Sequence, residues 1–125
     1  MLMMKWVRQG TINIREDQII YIDRDSCAVF VSGCHLNFDP ASLEAILKQL
    51  DEDKFFDIDV EGKNFTINLE KVTAVGIAAP DAGTADQKYT VMIESPVPNA
   101  PSAFVFRGIR GEILVRRLGL QLSEE

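Results

Sequence analysis

The chain has 125 residues, a formal net charge of −6 at pH 7 and 46% hydrophobic residues. This length suits one domain, residues 1–125, large enough to form a hydrophobic core without disulfides or metals. The acidic balance argues against broad binding of nucleic acid, which depends on Lys and Arg contacts with phosphates.

The sequence shows no feature of a membrane or exported protein. No apolar run approaches the roughly 20 residues of a membrane helix. Met1 to Met4 are not followed by the apolar core and cleavage site of a signal peptide. We therefore expect a cytoplasmic protein without a membrane partner, in which Cys27 and Cys34 are free thiols.

Three strands are predicted near the start of the chain, over residues 11–15, 18–23 and 26–32, because apolar residues alternate or cluster between polar turns. If residues 16–17 and 24–25 form two-residue hairpin turns, Ile14 lies opposite Ile19 and Tyr21 opposite Ala28. Both faces of this sheet are then apolar, whereas a sheet with one solvated face should alternate.

We therefore expect this sheet to be covered on both faces. The predicted helix covers one face, and further strands, a closing barrel or another subunit cover the other. The second face supplies a candidate interface for self-association, formed by Ile20, Ile22, Val29 and Val31.

The clearest helix is predicted over residues 39–51. Asp39 suits the N-cap and Pro40 suits the first helical position. Leu43, Ile46 and Leu50 lie on one apolar stripe, which predicts that the helix packs on the sheet.

A hairpin is predicted behind the helix, with strands over residues 55–60 and 63–69 and a turn at Glu61-Gly62. Its register places Ile58 opposite Phe65 on the buried face. Asp57 and Asp59 share the other face. Paired carboxylates can carry acid–base chemistry when one is buried, but a solvated face explains the same pattern.

The remainder predicts strands over residues 71–77, 88–95 and 103–107 and a helix over residues 111–120. Residues 78–86 are small and polar and predict a mobile loop, whereas three prolines within residues 96–102 predict a stiff one. The expected fold class is α+β: a bent antiparallel sheet or open barrel of about seven or eight strands with two helices.

Four arginines concentrate positive charge near the end of the chain: Arg107, Arg110, Arg116 and Arg117. They form a candidate anion-binding site, although a solvated helix face explains them too. Cys34, His35 and Asp39 are too few to make a zinc site. We expect no metal, no cofactor and no catalytic residue, since the common catalytic motifs are missing from the sequence.

The order of helix, Phe-led strand, Asn-Leu pair and Val-rich strand resembles the second half of LytTR-type DNA-binding domains. The residues that carry the resemblance are Leu47 to Leu50, Phe56, Asn68-Leu69 and Val72, and they cover about a third of the chain. That family places basic residues between the Phe and the Asn. Here those positions hold mainly acidic residues, so the resemblance concerns fold rather than DNA binding.

The leading hypothesis for function is a non-catalytic binding or protein-interaction module that forms a homodimer. The alternative is a small-molecule-binding protein or an enzyme with a pocket between helix 39–50 and the sheet. A third hypothesis is nucleic-acid binding through the C-terminal arginines.

Overall fold

The computed structural model describes residues 4–77 and 87–120. These residues form ten strands and two α-helices, and the strands make three antiparallel sheets. The α+β class is therefore confirmed, with ten strands in three separate sheets where one bent sheet or open barrel of seven or eight strands was expected. The loop predicted over residues 78–86 lies outside the described residues.

The strands, in chain order, are β1 (Trp6–Gln9), β2 (Ile12–Arg15), β3 (Ile19–Asp23), β4 (Ala28–Val31), β5 (Cys34–Asn37), β6 (Phe55–Val60), β7 (Lys63–Asn68), β8 (Val72–Ile77), β9 (Lys88–Ile93) and β10 (Ala103–Arg107). The helices are α1 (Pro40–Gln49) and α2 (Ile109–Arg117). The central sheet has the order β5-β4-β3-β7-β6, the second β10-β9-β8, and β1 and β2 form a separate hairpin.

The central sheet is buried on both faces. One core lies between this sheet, the β1–β2 hairpin and α1, where Val7 and Ile46 pack with Ile22 and Val29. The other lies between the opposite face, the β8–β10 sheet and α2; its members include Tyr21, Ile67, Tyr89, Phe104 and Leu114. The expected double cover is confirmed, and it is supplied within one chain.

This double cover corrects the candidate interface. Ile20, Ile22 and Val29 have no exposed surface, and Val31 packs at the edge of the core that contains α1. These residues also do not share one face, because a register shift between Ile19 and Tyr21 sends Ile20 into the opposite core. The surface proposed for self-association is therefore interior to the chain.

The first two turns also differ from the prediction. Residues 16–18 form a 3₁₀ turn, and β2 pairs with β1 rather than with β3, so Ile14 lies opposite Val7. The β3–β4 turn spans four residues, which places Tyr21 opposite Phe30. Asp23 accepts hydrogen bonds from the backbone N–H groups of Asp25 and Ser26 in this turn, a local pairing that favours the longer turn.

The helix α1 and the β6–β7 hairpin agree with the sequence. The Asp39 carboxylate accepts a hydrogen bond from the Ser42 backbone N–H at 2.7 Å, and this bond lowers the pKa of Asp39 below its ordinary value. In the hairpin, Ile58 lies opposite Phe65, as predicted. Strands β1 and β5 were not predicted, because each has four residues and neither shows a strict alternation.

The second helix begins earlier and ends earlier than predicted. Gly119 takes a positive φ of 76°, the left-handed conformation that glycine adopts readily. The backbone N–H groups of Gly119 and Leu120 donate to the carbonyls of Arg116 and Val115. This pairing satisfies the last carbonyls of α2 and ends the helix.

Candidate functional site

A groove of about 500 Å³ lies at the β6 edge of the central sheet, where both helices reach the edge strand. We call it the arginine groove. Its lining comes from α1 and the segment after it, from β6, β7 and the β3–β4 turn, and from α2: Arg24, Glu44, Leu47, Lys48, Leu50, Asp51, Glu52, Phe55, Phe56, Asp57, Thr66, Arg110, Ile113 and Arg117. The groove lies beside helix 39–50 and strand β6, the region in which the sequence analysis placed a hypothetical pocket.

Two arginines of α2 stack on one aromatic ring in this groove. The guanidinium carbon of Arg110 lies 4.2 Å from the ring centroid of Phe56, and that of Arg117 lies 5.5 Å from it. Arg110 and Arg117 are seven residues apart, two turns of an α-helix, so both project from the same side of α2. The π face of the ring attracts the positive charge of both side chains.

Hydrogen bonds to the backbone hold the same two arginines. Arg110 Nη2 donates to the carbonyl oxygen of Asp57 on the edge strand. Arg117 Nη2 donates to the carbonyl oxygen of Glu52 at 2.8 Å. Among the described residues neither guanidinium lies within salt-bridge distance of a carboxylate, so no carboxylate there compensates their charge directly.

A third guanidinium approaches from the β3–β4 turn. Arg24 Nη1 lies 3.6 Å from Asp57 Oδ2, and Thr66 Oγ1 donates to Asp57 Oδ1 at 2.6 Å. Asp59 instead accepts from the Gly62 backbone N–H in the β6–β7 turn. The two carboxylates thus make separate local contacts, and nothing in this geometry joins them as an acid–base pair.

The opposite wall of the groove carries three acidic residues and one lysine. Glu44 and Lys48 project from α1, and Asp51 and Glu52 follow the helix. The cations on the α2 side and the acids on the α1 side give the groove charges of both signs. A ligand in it therefore meets unpaired guanidinium charge on one side and carboxylate charge on the other.

The structure separates the four arginines of the predicted anion site. Arg110 and Arg117 lie together in the groove, whereas Arg116 points to solvent and pairs with Glu112 at 3.7 Å. Arg107 lies at the end of β10, on the exposed face of its sheet. The structure thus brings two of the four predicted arginines together, and Arg116 is separated from Arg117 because the two positions face different sides of α2.

The sequence analysis missed Arg24 and Phe56 as site residues. The sequence predicts Phe56 in the strand over residues 55–60 and Arg24 in a turn, and no signal in the sequence joins them. The seven-residue spacing of Arg110 and Arg117 was a usable signal, since it places both on one side of the predicted helix.

The cysteine and histidine side chains do not form a second site. Cys27 is half-buried and Cys34 is exposed, and they are not bonded to one another. His35 is exposed, and its ring lies 5.3 Å from that of Phe30. In the described part of the chain, no group of three His, Cys, Asp or Glu side chains is placed to hold a metal ion.

Neither helix of the described residues has the length and apolar character needed to cross a membrane. Comparisons of the chain with protein-family models, with curated proteins and with solved structures find no match. The class that the fold and the site define is thus an α+β domain with a preorganised arginine groove.

Proposed function

We propose that the protein is a non-catalytic binding module whose arginine groove binds a ligand through an anionic group. The observation that carries this proposal is the pair of guanidiniums, Arg110 and Arg117, stacked on Phe56 without a carboxylate partner. Each guanidinium has five N–H donors, and among residues 4–77 and 87–120 each donates one hydrogen bond. The unused donors suit a carboxylate or a phosphate, which arginine binds in a planar, two-pronged geometry.

Preorganisation favours binding here, because side-chain ordering normally costs free energy when a ligand binds. Phe56 and the two backbone carbonyls already fix the arginine side chains before any ligand arrives. The apolar side chains of Leu47, Leu50 and Ile113 lie beside them and supply contact for the rest of an organic anion. The groove volume lies within the range of small-molecule and peptide sites.

The test is a titration of the ¹⁵N-labelled protein with N-acetylglutamate and, separately, with inorganic phosphate, followed by NMR at the arginine Nε–Hε groups. We expect saturable shifts at Arg110 and Arg117 and none at Arg116. Arg110→Gln with Arg117→Gln should weaken binding about tenfold or more, since each hydrogen bond to a charged group contributes about 1.5–3 kcal/mol.

Arg116→Gln is the matched control, because it removes one positive charge from the same helix outside the groove. Arg110→Lys with Arg117→Lys keeps the charge but loses the planar fork, so it should restore binding only in part. Thermal unfolding of each variant separates lost binding from lost structure. Equal weakening by Arg116→Gln, or no saturable shift with either probe, would overturn the proposal.

Self-association is a second proposal, and an exposed sheet face supports it. On the outer face of the β8–β10 sheet, Met92 of the middle strand lies between Ala74 and Ala103. Met92 is 38% exposed and Val105 is 40% exposed, whereas the apolar side chains of the core are nearly fully buried. A twofold axis near Met92 would bring two copies of this small, flat face together.

Light scattering across a concentration series tests this proposal. Val105→Glu with Met92→Glu should convert a dimer into a monomer, whereas Ile12→Glu, at an equally exposed apolar residue in the β1–β2 hairpin, should not. A monomer at every concentration of the unaltered protein would contradict self-association and leave the anion-binding proposal standing.

A further inference from the structure

The arginine groove continues into a second cavity along α1. This second cavity has a volume of about 400 Å³, and it shares Arg24, Glu44 and Leu47 with the groove. It extends past them to Cys27 of the β3–β4 turn and to Pro40, the first residue of α1. Together the two cavities follow the whole length of the helix.

We infer that the ligand is an extended polypeptide segment of about five residues, with an acidic side chain at Arg110 and Arg117 and a basic side chain near Glu44. This inference rests on the proposed function, because it takes the arginine pair as the anion site. It adds the class of ligand, its length and a second charge contact.

The length follows from the helix that borders the cavities. The ten residues of α1 span about 15 Å at 1.5 Å per residue. An extended chain rises about 3.3 Å per residue, so about five residues cover the same distance. A single carboxylate or phosphate occupies only the α2 end and leaves the second cavity without a ligand atom.

The charge pattern follows from the two ends of the path. At the α2 end, Arg110 and Arg117 offer positive charge without a carboxylate partner. Toward the other end, Glu44 lies beside Arg24 where the two cavities meet, and Asp25 lines the second cavity beyond them. A peptide segment with opposite charges at its two ends would be held in one position. A segment with the same charge at both ends would be repelled at one of them.

The apolar contacts lie between these ends. Leu47 lines both cavities, and Leu43 lines the second. Leu43 is almost fully buried, so it forms part of the base of the cavity and does not project into it. Apolar residues in the middle of the segment would pack on this base while the terminal side chains reach the charged groups.

The experiment uses acetyl-Glu-Leu-Ala-Leu-Lys-amide and the reversed acetyl-Lys-Leu-Ala-Leu-Glu-amide, both of net charge zero. The comparison probes are N-acetylglutamate and acetyl-Gln-Leu-Ala-Leu-Gln-amide. We expect one of the two charged peptides to bind at least about tenfold more tightly than N-acetylglutamate, because it adds a second charge contact and apolar contact. The uncharged peptide should bind more weakly than either.

Two groove variants, one control variant and one chemical probe locate the peptide. Arg110→Gln should weaken binding of both N-acetylglutamate and the charged peptide. Glu44→Gln should weaken only the peptide, and Glu70→Gln, an exposed acid outside the groove, should weaken neither. In a Cys34→Ser background, saturating peptide should slow the alkylation of Cys27 by iodoacetamide severalfold, whereas saturating N-acetylglutamate should not.

The outcomes separate this inference from the proposed function. If N-acetylglutamate binds through Arg110 and Arg117 but neither charged peptide binds more tightly, the extended segment is wrong and the anion site stands. An unchanged alkylation rate of Cys27, or an unchanged peptide affinity in Glu44→Gln, would also overturn the inference. If no probe binds, both proposals fail.

Discussion

The side-chain amide of Gln49 pairs with both backbone groups of Arg8, as a neighbouring strand would. The Arg8 backbone N–H donates to Gln49 Oε1 at 2.9 Å, and Gln49 Nε2 donates to the Arg8 carbonyl at 2.8 Å. This pairing attaches the β1–β2 hairpin to the last turn of α1. It also covers backbone groups of β1, a strand that has only one partner strand.

Replacing Gln49 with Ala should destabilise the protein by about 1 kcal/mol, because two partly exposed hydrogen bonds are lost. Lys48→Ala, one residue earlier on the solvated side of α1, should change stability much less. Denaturant unfolding measures both. Hydrogen exchange at the Arg8 amide gives a local check, since it should accelerate in Gln49→Ala alone; equal exchange in both variants would contradict the assigned role.

Glu16 is a buried carboxylate that connects three parts of the fold. It is 2% exposed and lies 3.3 Å from Lys5 Nζ and 3.7 Å from Lys54 Nζ. Its Oε2 accepts the Asp51 backbone N–H at 2.9 Å. Glu16→Ala should cost about 2–4 kcal/mol, because it leaves this N–H unpaired and opens a cavity.

The control for Glu16 is its neighbour Asp17, whose carboxylate is exposed and pairs with Arg15. Asp17→Ala removes the same charge but should leave the denaturation midpoint nearly unchanged. A comparable loss of stability in the two variants would show that net charge, rather than the buried contacts of Glu16, determines the result.

Gly111 permits close approach of α2 to β9, and this contact positions the arginine wall of the groove. A Cβ placed at Gly111 would overlap the ring of Tyr89, which is itself 1% exposed. Gly111→Ala should therefore destabilise the protein by about 1–3 kcal/mol, although alanine is the better helix former. Gly76→Ala, where the nearest atom lies 3.9 Å from the added Cβ, should be tolerated.

The buried hydroxyl of Tyr21 should make the stability of the fold sensitive to alkaline pH. Burial raises the pKa of its hydroxyl above the ordinary value of 10.0, with a smaller contribution from the nearby charge of Asp23. The unfolded chain therefore loses this proton at a lower pH than the folded chain. The raised pKa of Tyr21 therefore contributes stability to the folded state. This contribution is complete below about pH 10 and is lost as the pH rises above that value.

Tyr21→Phe should reduce the loss of stability above about pH 10, at the cost of the hydrogen bond that the hydroxyl donates to the Pro101 carbonyl. Urea unfolding at a series of alkaline pH values measures the effect. Part of the dependence should persist in the variant, because burial also raises the pKa of Tyr89. An unchanged pH profile would contradict the assignment to Tyr21.

The local parts of the fold follow directly from the sequence. Asp39, Pro40 and the apolar stripe of α1 are separated by a few residues, so their effect can be read from spacing alone. The same holds for Glu61-Gly62, a two-residue turn with two positive φ angles that sets the register of β6 and β7.

Register and sheet membership required the tertiary structure. Asn68, 1% exposed, donates from Nδ2 to the Ile19 carbonyl at the position where the pairing of β3 with β4 shifts. Its partner lies 49 residues away in the chain. No local pattern marks this contact, and the resulting shift reverses the face that Ile20 occupies.

The sequence by itself determined the class of fold, the helices and the presence of two apolar faces, because these depend on short-range propensity and periodicity. It also placed Arg110 and Arg117 among the candidates. Only the tertiary structure decided that one chain covers both faces, and that the guanidiniums meet Phe56 and backbone carbonyls from distant segments. Such choices depend on contacts between residues far apart in sequence, which no local pattern of residues encodes.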